Sequence, residues 1–202
     1  MSVVTPLDIL DYWIGPARDN AEAAKRQHGL WFGKSAETDH EIAERFLPTL
    51  AALASGLADD WASRGPRARL AAIIALDQFT RNIFRGKRHA FENDHVALAL
   101  TKAGLARRHH AGLMEVEQIF FYLPLEHSER AEDQALAVAL CEGLAQSARA
   151  EFVPLAYSTL DYARRHQAVI DRFGRFPHRN AALGRGNTPE ETEYLSRPGA
   201  GF

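Results

Sequence analysis

The chain has 202 residues, of which 46% are hydrophobic and 25% charged, and it carries a formal net charge of -2 at pH 7. That balance suits one globular core and excludes a disordered chain. It also excludes wholesale attraction to nucleic acid or anionic membrane, so affinity for anions must come from a local cluster. The single cysteine, Cys141, excludes an internal disulfide and a cysteine-built zinc site, and among Ala, Val and Leu it reads as buried filler. No basic, apolar leader is visible, and the apolar run at residues 70–76 is far short of the roughly 20 residues that span a bilayer. The expectation is a protein of the reducing cytoplasm.

Helix signals recur along the chain, and strand alternation is nearly absent. Thr5-Pro6 supplies an N-cap and a proline at the first helical position, opening a helix that carries Leu7, Leu10, Tyr12 and Trp13 and ends before Gly15-Pro16. A segment from Asp19 brings Leu30, Trp31 and Phe32 to the core as an aromatic plug. Thr38 or Asp39 caps the next helix, with Ile42, Phe46, Leu50 and Leu53 at helical spacing and Pro48 set to kink or divide it. Gly56 and Ser63-Arg64-Gly65 punctuate the chain. Pro66 starts a helix that reaches at least about Thr80, and another runs from about 93 to 108. The next covers 115–122 and ends near Pro124; one then runs from an N-cap at Ser128 to about 148, and one over 151–173 with Pro154 in its first turn. Thr188-Pro189-Glu190-Glu191 reads as a capping box. Connections are short and no low-complexity linker intervenes, so residues 1–202 should form a single helical domain of antiparallel hairpins.

Polar residues interrupt three apolar stretches. After Pro66, Leu70, Ile73 and Ile74 define a core face; Asp77 stands one turn beyond Ile73 on it, Arg81 one turn further, and Arg85 next if the helix persists. Buried charges need partners, so Asp77 and Arg81 either tie helices together or face a ligand. On the long late helix His166 falls among Phe152, Leu155, Ala163, Ile170 and Phe173, whereas Asp161 and Arg165 lie opposite as a surface ion pair. From Arg172 to Arg185 there is no acid, while Arg172, Arg175, Arg179 and Arg185 accompany His178 and Asn180, and Gly174 suits a helix C-cap. These guanidiniums require protein carboxylates or an anionic ligand, and their planar fork accepts either. Glu126-His127-Ser128-Glu129 offers such carboxylates. A metal on His127 and neighbouring acids is the sharper alternative, but the spacing matches no standard metal motif, so neither metal nor cofactor is expected. His109-His110 reads as surface, and Ser128 as a cap before a nucleophile. No serine elbow, P-loop or HExxH helix is present.

Four phrases resemble a mainly bacterial family, domain of unknown function 924. They are Asp77-Gln78-Phe79-Thr80-Arg81-Asn82-Ile83-Phe84-Arg85-Gly86, Leu123-Pro124-Leu125-Glu126-His127-Ser128-Glu129, Arg172-Phe173-Gly174-Arg175-Phe176-Pro177-His178-Arg179-Asn180, and Thr188-Pro189-Glu190-Glu191. Tyr12-Trp13 and residues 199–202 also fit, so the resemblance covers essentially the whole chain. It implies an all-α fold of stacked antiparallel helical hairpins, a tetratricopeptide-like right-handed array closed into one globular domain, and it implies no activity. Thr80 replaces a usual proline, and Gly186 and Asn187 replace a more typical acid and serine.

Two functions compete. In the first, the protein binds or processes a small phosphate- or carboxylate-bearing molecule. Arg81, Asn82, Arg85, Arg175, Arg179 and Asn180 hold the anion, His127, His166 or His178 transfers protons, and Asp77 and Glu126 orient them. In the second, the helical array is a protein- or peptide-binding module whose polar motifs are structural clasps, with residues 199–202 an anchored tail or an exposed tag. Neither nucleic acid nor membrane is expected as a partner.

Overall fold

The computed structural model describes residues 2–201, and every regular element within them is helical. Helix α1 (Pro6–Trp13) starts at a reciprocal cap: the Thr5 amide donates to the Asp8 carboxylate at 2.7 Å, and the Asp8 amide donates back to the Thr5 hydroxyl at 3.4 Å. Helix α2 (Ala21–Phe32) delivers Trp31 to the core, where its indole N–H donates to the Trp13 carbonyl at 2.6 Å. Trp31 is the buried part of the plug; Leu30 packs half-buried against the core, and Phe32, half exposed, stacks on Phe120.

Helix α3 (Ala36–Ala52) is capped earlier than expected, by Ser35, whose hydroxyl accepts the Thr38 amide at 3.2 Å. Asp39 points elsewhere, towards α6 (Thr80–Ile83). Pro48 stays inside α3 without dividing it, because buried Phe46 and Leu50 dock that stretch on the core. The break falls at Gly56, at φ 115°, before α4 (Ala58–Ser63).

Helix α5 (Pro66–Ile74) is the central rod, with residues 70–76 wholly buried. It packs against α1, α4, α7 (Asp94–Ala106) and α8 (Glu115–Glu126). Helix α8 is buried almost all round and runs past Pro124; the next backbone bond, His127 N–H to the Leu123 carbonyl at 2.9 Å, closes normally. Its buried acids Glu115 and Glu117 are neutralised by Arg149 and by Arg18 and Arg67.

Helix α9 (Ala131–Ser147) lies between α8 and α10 (Val153–Phe173). Ser128 is not its N-cap: the hydroxyl donates to the buried Asp133 carboxylate at 2.7 Å, which draws the helix start on to Ala131. Gly174, at φ 67°, ends α10 in the left-handed region, as glycine permits. The chain closes with α11 (Asn180–Leu183) and α12 (Pro189–Leu195), the latter on the expected Thr188/Glu191 capping box. No described helix is long and apolar enough to cross a membrane.

Candidate functional site

Between α5 and α6 the helix widens for one turn. Residues Ala75–Phe79 form a π turn, closed by the Thr80 amide donating five residues back to the Ala75 carbonyl. Single π turns inside α-helices are frequent at functional sites. Here the turn carries Asp77, which is 1% exposed. Its Oδ1 lies 2.7 Å from His127 Nδ1 and 3.0 Å from Arg81 Nη1, and Oδ2 accepts from Gln78 at 2.5 Å. Burial alone would raise this carboxyl, but Arg81 and His127 hold it well below the usual carboxylate range. The carboxylate can only accept, so His127 carries its proton on Nδ1 and presents Nε2 as the basic nitrogen. Nε2 has no hydrogen bond among the described residues. Burial and the charge of Arg81 lower the pKa of His127 and keep the ring neutral.

Asp94, at the start of α7, grips Arg81 with both oxygens, at 2.9 and 3.0 Å. It also meets Arg179 Nη1 at 3.4 Å. The Arg179 guanidinium lies over Phe176 at 4.5 Å and over Phe91 at 4.9 Å. Its side chain is 7% exposed, and its Nε has no hydrogen-bond partner among the described residues. Burial, then the nearby charge of Arg81, brings Arg179 down to about 10, which still leaves it charged at neutral pH.

On the other side of His127 stand Glu126 and His166. The His127 and His166 rings are 6.1 Å apart, and Glu126 Oε2 is 3.5 Å from His166 Nδ1. Among the described residues no arginine pairs with Glu126; its Oε1 faces the Cys141 thiol at 3.9 Å. Burial, reinforced by the charge of Asp77, pushes Glu126 up to about 8, so it is a neutral donor at pH 7. His166 sits 2.9 Å from the Tyr162 carbonyl through Nδ1, which fixes the proton there. Burial, then His127, lowers His166 to about 3; burial, then Arg179, lowers His178 to about 4. Phe176 links these last two, its ring 5.6 Å from His166 and 5.5 Å from His178.

Asp77, Arg81, Glu126, His127, His166, His178 and Arg179 therefore meet in one place, delivered by four separate segments of chain. The remaining sequence candidates do not. Asn82 and Arg85 both hold Asp39 of α3, at 2.8 and 2.7 Å. Arg175 forks onto Glu191 at 2.6 and 2.8 Å, and Asn180 joins that pair and Asn187. Arg172 and Arg185 take Glu190 and Glu129. Phe202 lies outside the described residues, but the tail before it is anchored: the Gly201 amide reaches the Tyr194 hydroxyl at 3.4 Å, and a Cβ at Gly201 would stand 3.1 Å from that of His178. Sequence reasoning missed Asp94 and Phe91; the former looks like any first-turn acid of a helix, the latter like any loop aromatic. No group of three or more His, Cys, Asp or Glu side chains able to hold a metal ion occurs among the described residues. A surface depression of about 470 Å³ is lined by Arg88, His89, Phe91, Glu92 and Leu183, and the same Phe91 ring lies against the Arg179 guanidinium.

An all-helical domain with this buried acid–histidine–arginine cluster belongs to the family described as "Bacterial protein of unknown function (DUF924)", which matches residues 9–199. The chain is similar to a protein of unknown function from Agrobacterium tumefaciens, whose solved structure is 34% identical over 95% of this chain and 96% of that one, with a TM-score of 0.78. No curated protein matches the sequence.

Proposed function

We propose that the cluster binds a small phosphate- or carboxylate-bearing molecule and performs acid–base chemistry on it. One observation carries the reading: Arg179 is a buried guanidinium whose Nε lacks an acceptor among the described residues, and its ion-pair contact there, at 3.4 Å, goes to a carboxylate already engaged by Arg81. A buried N–H without an acceptor is costly, and a ligand oxygen on this edge relieves that cost. His127 stands beside it, oriented and made more basic by Asp77, with Nε2 available to take a proton. When it does so, the Asp77 carboxylate stabilises the imidazolium that forms. Protonated Glu126 is the complementary acid. The surface depression at Phe91, whose ring also lies under Arg179, supports an approach from that side, and residence in the cytoplasm would place the site among soluble metabolites.

The test is a thermal-shift screen of inorganic phosphate, phosphomonoesters and mono- and dicarboxylates. A ligand at a hundred times its Kd stabilises by about 2.7 kcal/mol, and Arg179→Met removes the effect. A folded sample that responds to no class sinks the proposal.

A second reading, a tetratricopeptide-like array that holds a protein or peptide, rests on exposed Tyr157 and Tyr162 of α10 and on three of the loop arginines pairing internally. It calls for a partner captured through α10, with Tyr157→Ala abolishing capture and the thermal-shift screen silent.

A further inference from the structure

Eight residues before Asp77, about 12 Å along the same rod, stands a second unusual cation. Arg69 is 4% exposed, and of the two buried arginines it is the one with no ion-pair contact among the described residues. Its Nη1 donates to the Leu100 carbonyl at 2.9 Å, Nη2 to the Ala62 carbonyl at 3.2 Å and Nε to His109 Nδ1 at 3.3 Å. These are neutral acceptors; they use three of its five N–H bonds, and the charge meets only the more distant field of Asp59. Gly104 makes room for it, since a Cβ there would lie 2.7 Å from Arg69 Cδ.

Arg69 lines an open groove of about 500 Å³ between α4, α5 and α7. Arg107, His109, Ser63 and Gly65 share that lining, and Asp59 is its one acid. The charge of Arg107 reaches both Arg69 and His109, and burial together with these two arginines lowers His109. Gly65 leaves the start of α5 with no side-chain cap, and the first turn of α5 holds no acid. Its unbonded amides add positive potential at the same place.

We propose that this groove is a second, separate binding site, for a phosphate-bearing small molecule. Two guanidiniums and a helix start carry more than one positive charge, which a phosphate dianion offsets and a monocarboxylate does not. The volume admits a small phosphorylated compound and no folded partner. Arg69 supplies its unused N–H bonds from the floor, Arg107 closes from the rim, and His109 stays neutral as an acceptor for Arg69.

The test is an NMR titration of the intact, 15N-labelled protein with inorganic phosphate at constant ionic strength. The Gly65, Arg107 and His109 amides should shift saturably, and the His109 ring should titrate at higher pH when phosphate is bound. Arg107→Ala, a change at an exposed position, should weaken binding about tenfold without disturbing the fold. The proposal is overturned if these amides show no saturable shift, if Arg107→Ala leaves the affinity unchanged, or if acetate binds as tightly. Saturable shifts confined to residues 75–81 would place phosphate at the Asp77 cluster instead and likewise overturn it.

Discussion

Asp77 Oδ1 and His127 Nδ1 meet at 2.7 Å across 50 positions of sequence, and Arg81 shares the same oxygen at 3.0 Å. One buried carboxylate thereby serves a base and a cation together. Asp77→Asn takes the carboxylate from His127 and leaves Arg81 with Asp94 alone. Breaking one side of a buried pair costs roughly 3–5 kcal/mol, so the urea midpoint should fall steeply. Because the Asp77 carboxyl is held below its ordinary range, its contribution is present above the unfolded pKa and is lost as the pH falls towards the folded one. Asp161→Ala, which removes the exposed pair with Arg165, should leave the midpoint nearly unchanged.

Glu126 gives a slope of opposite sign. Its folded pKa of about 8 lies above the ordinary 4.5, so the folded state holds a proton that the unfolded chain releases. Its contribution is complete below about 4.5 and declines up to about 8, by at most about 1.4 kcal/mol per pH unit. Glu126→Gln, which keeps the neutral shape, should flatten that part of the stability profile measured by urea unfolding at stepped pH.

His166 and His178 pull the other way. Each is lowered by burial, to about 3 and about 4, below the ordinary 6.5. The unfolded chain therefore takes up their protons first, and stability is lost as the pH drops below 6.5 towards those values. Two histidines outweigh one glutamate, so acid should destabilise the protein overall in that window. NMR of the imidazole ring protons should show neither ring titrating between pH 8 and about 5. Titration near 6.5 would contradict the burial described above.

Arg175 and Arg179 are four residues apart in one loop and should behave differently. Arg175→Ala unclasps Glu191 and lowers the melting temperature, while any ligand-induced shift persists. Arg179→Ala should abolish that shift. Loss of the ligand effect in both variants would mean that the loop acts as one structural unit.

Gly104→Ala tests the packing beneath Arg69. The new methyl group would fall 2.5 Å from Phe121 Cζ and 2.7 Å from Arg69 Cδ. Overpacking of this kind costs about 1–3 kcal/mol. The same change should also move the His109 ring resonances, because Nδ1 accepts from Arg69.

The placement of Asp77 and Arg81 on an apolar face was legible because Leu70, Ile73 and Ile74 set the phase. His166 was legible among its aliphatic neighbours for the same reason. Periodicity could not show the widened turn, since an extra residue in a hydrogen-bond ladder leaves no mark in composition. Nor could it show that Asn82 and Arg85 leave the row for Asp39, a contact 43 and 46 positions distant. Cys141 is buried, as its aliphatic company implied, yet it faces a carboxyl group on another helix. Arg69 escaped notice because an arginine at the edge of an apolar run usually reaches solvent with its charged end.

The surplus residue at Ala75–Phe79 has a geometric corollary. Excising one residue there would heal the helix into an unbroken α-ladder, locally the more regular conformer. It would also turn Asp77 and Arg81 together by about 100° relative to Ile73 and Ile74, swinging both away from His127. The irregularity is thus a phase-setter, and a chain that mends it gains a straighter helix and loses the meeting of acid, base and cation.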